Sequence, residues 1–148
     1  MTEFSHLDAE GGVRMVDVGD KPLSRRRALA HARVTMAAET AARLRDLPKG
    51  DALTTAQLAG IMAAKRTSEL IPLCHPLPLS SIDVDVAIIE NGADVTSTVE
   101  TTAQTGVEME ALVAASVAAL TIYDMAKAID STMIVSDVRL LEKTKDAV

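Results

Sequence analysis

The sequence of 148 residues has almost no aromatic side chains and a single cysteine. Phe4 and Tyr123 are its aromatic residues and tryptophan is absent, so a folded core has to be built from alanine, valine, leucine, isoleucine and methionine. The lone Cys74 excludes an intramolecular disulfide, and unpaired thiols are typical of a reducing compartment. We therefore expect a cytoplasmic protein.

Signals for secretion, membrane insertion and nucleic-acid binding are also scarce. The polar N-terminus lacks the apolar core of a signal peptide, and the apolar run 111–123 is shorter than the roughly 20 residues of a membrane-spanning helix. The 15 lysines and arginines against 21 aspartates and glutamates give a net charge of −6, which argues against a nucleic-acid partner. With 48% apolar residues, the chain is predicted to fold as a single domain over 1–148, with a flexible arm at 1–12 and a flexible tail at 144–148.

Positive charge is concentrated in one stretch of this acidic chain. Residues 21–49 contain eight lysines and arginines and two acids. Such a stretch is either a solvated basic face or a local anion site, and charge alone leaves both open. The small aliphatic core also suggests that the chain gains further burial by associating with copies of itself.

Hydrophobic periodicity and turn residues predict the order strand, helices, strand, strand, helix, strand. That order indicates an α+β fold, a ferredoxin-like sandwich in which an antiparallel four-stranded sheet packs against helices on one face. The long helix is apolar on all sides over 111–119, which a single sheet cannot cover, so a neighbouring subunit is expected to bury it. The predicted elements are a strand at 28–36, a helix at 37–47, a helix at 56–70 with a capping box at Thr54 and Gln57, a stiff loop at 72–78, strands at 82–89 and 94–103 around an Asn91-Gly92 turn, a helix at 108–129 and a strand at 133–141.

Asp124 and Lys127 are three residues apart in the long predicted helix, so their side chains lie on one helical face. A lysine in an apolar surround loses its charge readily and a neighbouring carboxylate restores it, so such a pair can move a proton. An ordinary ion pair on a solvated helix end has the same spacing. The residues alone leave both interpretations open.

Other polar residues are candidates for binding. Cys74 and His75 lie in the proline-rich loop, where His75 either contacts a ligand or packs into the loop. A single cysteine with scattered histidines does not match a metal site, and adjacent side chains on an extended chain point apart, which argues against a Cys–His dyad. Glu108 and Glu110 flank a helix start, where acids are stabilised, and one of them can point into a site. The sequence has no glycine-rich phosphate loop, so a phosphate would need lysine, arginine or histidine side chains.

Three motifs in this order resemble one family closely. They are AAKRT at 63–67 followed by LIPLCHPL at 70–77, then TGVEMEAL at 105–112, and AALTIYDMAKA at 118–128. They resemble the cyclic pyranopterin monophosphate synthases, the molybdenum cofactor biosynthesis protein C family, and the resemblance extends from about His6 to Lys143.

The resemblance implies an enzyme of the first stage of molybdenum cofactor synthesis, a phosphorus–oxygen lyase. Such enzymes convert 3′,8-cyclo-7,8-dihydro-GTP, made by a radical SAM GTP cyclase, to cyclic pyranopterin monophosphate and release pyrophosphate. It further implies a homohexamer, a trimer of dimers with sites at subunit interfaces. No cofactor or protein-bound metal is required, although Mg²⁺ can accompany the triphosphate.

Residue roles follow from the matched motifs. Asp124 and Lys127 match the family's catalytic acid/base pair. The residues that match substrate-binding positions are Leu73, Cys74, His75, Glu108, Met109, Glu110, Lys49, Lys65, Arg26 and Lys143. Two rival functions remain: a catalytically idle family member that acts as an assembly partner, and a ferredoxin-like module that only binds nucleotides.

Overall fold

The computed structural model describes residues 4–148, and the first three residues of the predicted arm lie outside the described residues. The order of elements is the predicted one. The helices and strands are β1 (Ser24–Thr35), α1 (Ala38–Ala41), α2 (Ala52–Lys65), α3 (Thr67–Leu70), β2 (Leu79–Ile89), β3 (Gly92–Ala103), α4 (Glu108–Ala126) and β4 (Ile134–Ala147).

The four strands form one antiparallel sheet in the order β2-β3-β1-β4, with α2 and α4 on one face. The predicted α+β, ferredoxin-like fold is therefore confirmed. In β1 every second residue from Ala28 to Val34 is fully buried under the helices, because successive side chains of a strand point to opposite faces. The open face of the sheet is polar, with Arg27 beside Glu100 and Arg33 beside Asp94.

Helix α4 is the central core element, and its middle is buried on most sides as predicted. Part of the cover comes from this chain, because the sheet packs beneath α4 and α2 packs beside it on the same face of the sheet. Leu120, on the outer side of α4, remains exposed. Gly60 of α2 permits this close packing, since a Cβ there would lie 3.0 Å from the Ala114 carbonyl oxygen. The helix is long and apolar enough to cross a membrane by length and composition, but half of its most apolar stretch is buried inside the fold. Tyr123 of α4 is half-buried and packs against the core.

Several helix boundaries differ from the prediction. The helix predicted to end at residue 70 is divided into α2 and α3, and α4 ends at Ala126 instead of residue 129. Helix α2 begins after Asp51, whose carboxylate accepts hydrogen bonds from the backbone N–H groups of Leu53 and Thr54, so the capping box predicted at Thr54 is wrong. Asp51 is a preferred N-cap residue, and Ala52 and Leu53 are good helix formers that extend the helix by a turn. The helix predicted at 37–47 contracts to Ala38–Ala41, and tight turns follow it.

The β2–β3 hairpin has its turn one residue earlier than predicted. Glu90 and Asn91 form the turn and Gly92 is the first residue of β3, paired with Ile89. Among residues 4–148, Asp137 is the one non-glycine residue with positive φ, so Asn91 does not adopt the left-handed conformation that is typical of an Asn-Gly hairpin turn. Glycine is required at 92 because a Cβ would collide with the Val34 carbonyl oxygen.

Backbone pairing extends further towards both ends of the described residues than the predicted strands do. The last strand continues to Ala147 instead of ending at Leu141, so residues 144–147 of the predicted tail pair with the start of β1. Residues 4–23 are an irregular arm in which Leu7 and Val13 form one β-bridge. Residues 15–18 of the arm lie along the proline-rich loop, where the Val16 carbonyl accepts a hydrogen bond from His75.

Candidate active site

The candidate functional residues form two clusters, one at each end of α4. Glu110 lies in the first turn of this helix and Asp124 in its last turn, fourteen residues further on. At 1.5 Å per residue the two positions are about 21 Å apart along the helix axis. The site residues predicted from the sequence are therefore divided within one chain.

The cluster at the N-terminal end surrounds a cavity of about 370 Å³. The cavity lies where the proline-rich loop meets the first turn of α4, so side chains from both elements converge on it. Six of the predicted substrate-binding residues line it: Leu73, Cys74, His75, Glu108, Met109 and Glu110. Lys65 lies at the end of α2 and lines a smaller adjoining cavity together with His75 and Glu110.

Burial raises the pKa of one carboxyl group and of the thiol in this cavity. Glu110 is only 4% exposed, and burial, reinforced by the nearby Glu108, raises the pKa of its carboxyl group. Burial also raises the pKa of the Cys74 thiol, and the charge of Glu110 adds to the shift. A raised thiol pKa disfavours the thiolate that a nucleophile needs, which argues against a nucleophilic role for Cys74.

His75 is held by the N-terminal arm. Its Nε2 atom lies 2.7 Å from the carbonyl oxygen of Val16, fifty-nine residues away in the chain. A second contact joins the arm to the start of the α4 region, where Gln104 Nε2 donates to the Gly19 carbonyl at 3.1 Å. The arm therefore forms one wall of the cavity.

The cluster at the C-terminal end consists of one carboxylate between two ammonium groups. Asp124 Oδ1 lies 3.0 Å from Lys127 Nζ, and Asp124 Oδ2 lies 3.0 Å from Lys49 Nζ. Hydrogen bonds from Lys127 and then Lys49, with their positive charges, lower the pKa of Asp124. Lys127 is 56% exposed and Asp124 is 54% exposed, so in the chain alone the pair lies on a solvated helix end, which is one of the two interpretations that the sequence left open.

Two predicted binding residues lie at neither cluster. Arg26 is on β1, opposite Lys145, and its guanidinium donates to Ser24 Oγ. Lys143 is exposed on β4, opposite Ala28. The two positions are on neighbouring strands, the internal β1 and the edge strand β4, and neither side chain lines the described cavity.

Sequence reasoning missed the arm as part of the cavity lining. Ser5, His6, Val16, Val18 and Lys21 all line it. A signal was present, because half-buried Val16 and Val18 alternate with exposed neighbours, as in an extended segment that lies on a surface. Nothing in that pattern specifies which surface it contacts.

A second polar cluster, on the open face of the sheet, was also missed. His31 is 7% exposed and lies between Asp94 and Asp137, with ring nitrogens 3.2 Å from a carboxylate oxygen of each. Arg33 holds Asp94, and its hydrogen bonds lower the pKa of that carboxyl group. Asp137 has a φ of 53° at a β-bulge between β1 and β4, so this cluster fixes an irregular point of the sheet. Across residues 4–148, the acids, histidines and cysteine include no group of three or more that could hold a metal ion.

Comparison with known proteins gives consistent results. A model of the MoaC family matches residues 15–146. The chain is 57% identical to a cyclic pyranopterin monophosphate synthase of Heliobacterium modesticaldum, over 97% of this chain and 93% of that protein. It is 52% identical to a protein of the same name from Novosphingobium aromaticivorans, over 97% of this chain and 92% of that protein. It also matches 46% of a molybdenum cofactor biosynthesis bifunctional protein of Chlorobaculum tepidum, at 57% identity over 96% of this chain.

Proposed function

Because this chain belongs to the MoaC family, we propose that it is a lyase of molybdenum cofactor synthesis. Its substrate is 3′,8-cyclo-7,8-dihydro-GTP, and its products are cyclic pyranopterin monophosphate and pyrophosphate. The observation that carries the assignment beyond the family is the cluster of Lys49, Asp124 and Lys127, in which two ammonium groups contact one carboxylate at 3.0 Å.

This cluster has the chemistry that the reaction needs. Ring rearrangement requires repeated proton transfers, and Lys127 acts as the acid/base group while Asp124 holds its Nζ atom in place. Release of pyrophosphate leaves negative charge on the departing oxygen, and lysine side chains stabilise that charge without a glycine-rich loop. Lys49 is placed to supply such a charge beside the acid/base pair.

The cavity at the other end of α4 binds the ring portion of the substrate in this proposal. It is lined by His75, Met109 and Glu110, and its volume of about 370 Å³ falls within the usual range for small-molecule sites. Lys65, beside the cavity, adds a positive charge. Arg26 on β1 and Lys143 on β4 would approach the substrate only in an assembly.

We place the complete site between subunits of a homohexamer, a trimer of dimers. The two clusters are about 21 Å apart along α4, so a second copy that brings its lysine cluster to the cavity would complete one site. Exposed apolar side chains on the outer faces of the two large helices, at Leu58, Met62 and Leu120, are suited to contact between copies.

A mixing experiment tests the shared site. His75→Ala and Lys127→Ala variants, each inactive alone, would be dissociated, mixed and reassembled. If each site takes His75 from one copy and Lys127 from another, about a quarter of the sites in random mixed oligomers are intact and turnover returns. Failure of mixed oligomers of confirmed composition to regain turnover would place both residues in one subunit.

The activity itself is tested by adding the cyclised GTP intermediate to the protein and measuring pyrophosphate and cyclic pyranopterin monophosphate. A radical SAM GTP cyclase supplies this intermediate, and no cofactor is added, so turnover should survive treatment with a chelator unless Mg²⁺ accompanies the triphosphate. If the protein binds the intermediate but releases no pyrophosphate, a nucleotide-binding module is favoured. If it neither binds the intermediate nor forms products, an idle assembly partner is favoured. The cytoplasmic location remains a prediction from the sequence.

A further inference from the structure

The contact between His75 and the arm determines what the histidine ring can offer to a ligand. A backbone carbonyl has no hydrogen to donate, so in the 2.7 Å contact with the Val16 oxygen the Nε2 atom of His75 is the donor and carries the proton. A neutral imidazole has one protonated and one unprotonated nitrogen. Nδ1 of the neutral ring is therefore left as a hydrogen-bond acceptor.

The neighbours of His75 in the cavity are acceptors as well. Glu108 and Glu110 contribute carboxylate oxygens from the first turn of α4, and both line the same cavity as the ring. Lys21 in this cavity and Lys65 in the adjoining one can attract a phosphate, but at the His75 ring that phosphate would also meet two carboxylates and an unprotonated nitrogen, which is unfavourable. A guanine-derived ring presents amide and amino N–H groups, which need acceptors of this kind.

We propose that the arm fixes His75 with its proton on Nε2, and that His75 therefore recognises a ring N–H of the substrate through Nδ1 and does not hold its phosphates. The substrate part of this inference rests on the proposed function. The tautomer rests only on the contact between His75 and Val16.

The arm acts in this scheme as a positioning segment. It is attached at two points, by the Val16 carbonyl to His75 and by the Gly19 carbonyl to the amide of Gln104. Gln104 does not line the cavity that contains Glu108 and Glu110, so it can be changed without removing a wall of that cavity. Loosening the arm at Gln104 should therefore weaken the control of the His75 tautomer.

Nitrogen NMR of the full chain labelled with ¹⁵N-histidine measures the tautomer directly. The protein has three histidines, and His75→Gln identifies the signals of His75 by their loss. We expect a protonated Nε2 and an unprotonated Nδ1 in the neutral ring of the wild type, and a mixture of tautomers in Gln104→Ala. A neutral ring protonated at Nδ1 would overturn the inference, and an unchanged tautomer in Gln104→Ala would overturn the role of that tether.

Calorimetric binding of two separate probes tests what His75 recognises. Guanosine carries the ring donors without phosphate, and inorganic pyrophosphate carries the charge without a ring. We expect His75→Ala to lower guanosine affinity about tenfold or more and to change pyrophosphate affinity less than about twofold. His75→Gln, whose amide nitrogen can reach the Val16 carbonyl as Nε2 does, should recover part of the loss, whereas the shorter His75→Asn should not.

The outcomes separate this inference from the proposed function. An equal fall in pyrophosphate affinity, or no guanosine binding by the wild type, would overturn the recognition of a ring N–H. Because neither measurement requires turnover, a protein that binds as expected but releases no pyrophosphate would contradict the proposed function alone. A protein that turns over but has a His75 ring protonated at Nδ1 would contradict this inference alone.

Discussion

The two ends of α4 place similar carboxylates in opposite environments. At the N-terminal end burial raises the pKa of Glu110, whereas at the C-terminal end hydrogen bonds from Lys127 and Lys49 lower the pKa of exposed Asp124. When their environments shift the pKa values of two carboxyl groups in opposite directions, one protein obtains different acid and base functions. In the proposed function, one end of the helix supplies the ring-binding cavity and the other supplies charge and proton transfer.

The largest expected effect comes from removing the amine at the C-terminal end. Lys127→Ala should lower turnover by about 10² to 10⁴, the usual contribution of a general acid/base group. The melting temperature should stay near that of the wild type, because both members of the Lys127–Asp124 pair are more than half exposed and such pairs contribute little to stability.

Pyrophosphate release and thermal melting measure these two effects. Arg45→Ala removes an exposed cation that belongs to neither cluster and serves as the matched control. If Lys127→Ala and Arg45→Ala have the same turnover, the assignment of the acid/base group to this end of the helix is wrong.

A smaller effect is expected from the arm side of the cavity. Lys21 is the one lysine or arginine among the described residues that line it, and a substrate oxygen entering the cavity would meet its positive charge. Lys21→Met should raise KM about threefold to tenfold and leave kcat nearly unchanged, since a partly exposed charge contributes modestly to binding.

Steady-state kinetics separate the two parameters. Arg14→Met removes an exposed cation of the same arm that does not line the cavity, so its KM should match the wild type. A fall in kcat with an unchanged KM for Lys21→Met would mean that this ammonium acts in the chemical step.

The smallest effect is on stability at the N-terminal end of α4. The folded protein holds the pKa of Glu110 above its ordinary value of 4.5, so ionisation favours the unfolded chain and stability is lost as pH rises from about that value through the raised pKa. Glu110→Gln removes this loss. The variant should melt above the wild type at neutral pH, and the difference should shrink as pH falls below 4.5.

Asp124→Asn should change the melting temperature in the opposite direction to Glu110→Gln, which makes the comparison between the two ends of α4 sharper. The pKa of Asp124 is below its ordinary value of 3.8, so its contribution to stability is present above that pH and lost as pH falls through the lowered pKa. Asp124→Asn should therefore melt slightly below the wild type at neutral pH. Melting curves recorded from pH 3 to pH 7 measure both changes. If both variants shift the melting temperature in the same direction at neutral pH, the two carboxyl groups do not lie in opposite environments.

Local spacing was enough to predict part of the candidate site. Asp124 and Lys127 were expected on one helical face, and their side chains lie 3.0 Å apart because the helix period brings residues three apart together. The residues that line the cavity between the proline-rich loop and the first turn of α4 were predicted from their match to the motifs of a known family. The antiparallel sheet followed from alternating strands, whose period is equally local.

Contacts between distant segments could not be predicted in the same way. Lys49 reaches Asp124 across seventy-five residues, and Val16 reaches His75 across fifty-nine. Such contacts depend on the path of the chain in three dimensions, which no repeating pattern encodes. The same limit explains why the cover that α2 gives to one side of α4 was not predicted, and a second copy alone was expected to bury that surface.

The shortage of aromatic residues has a practical consequence for studying this protein. Tyr123 is next to Asp124 and packs against the core from the last turns of α4, whereas the other aromatic residue, Phe4, is 77% exposed in the arm. With no tryptophan to mask it, the intrinsic ultraviolet fluorescence comes from this single phenol. Its emission is a built-in optical reporter of events at the lysine cluster, and it needs no attached dye.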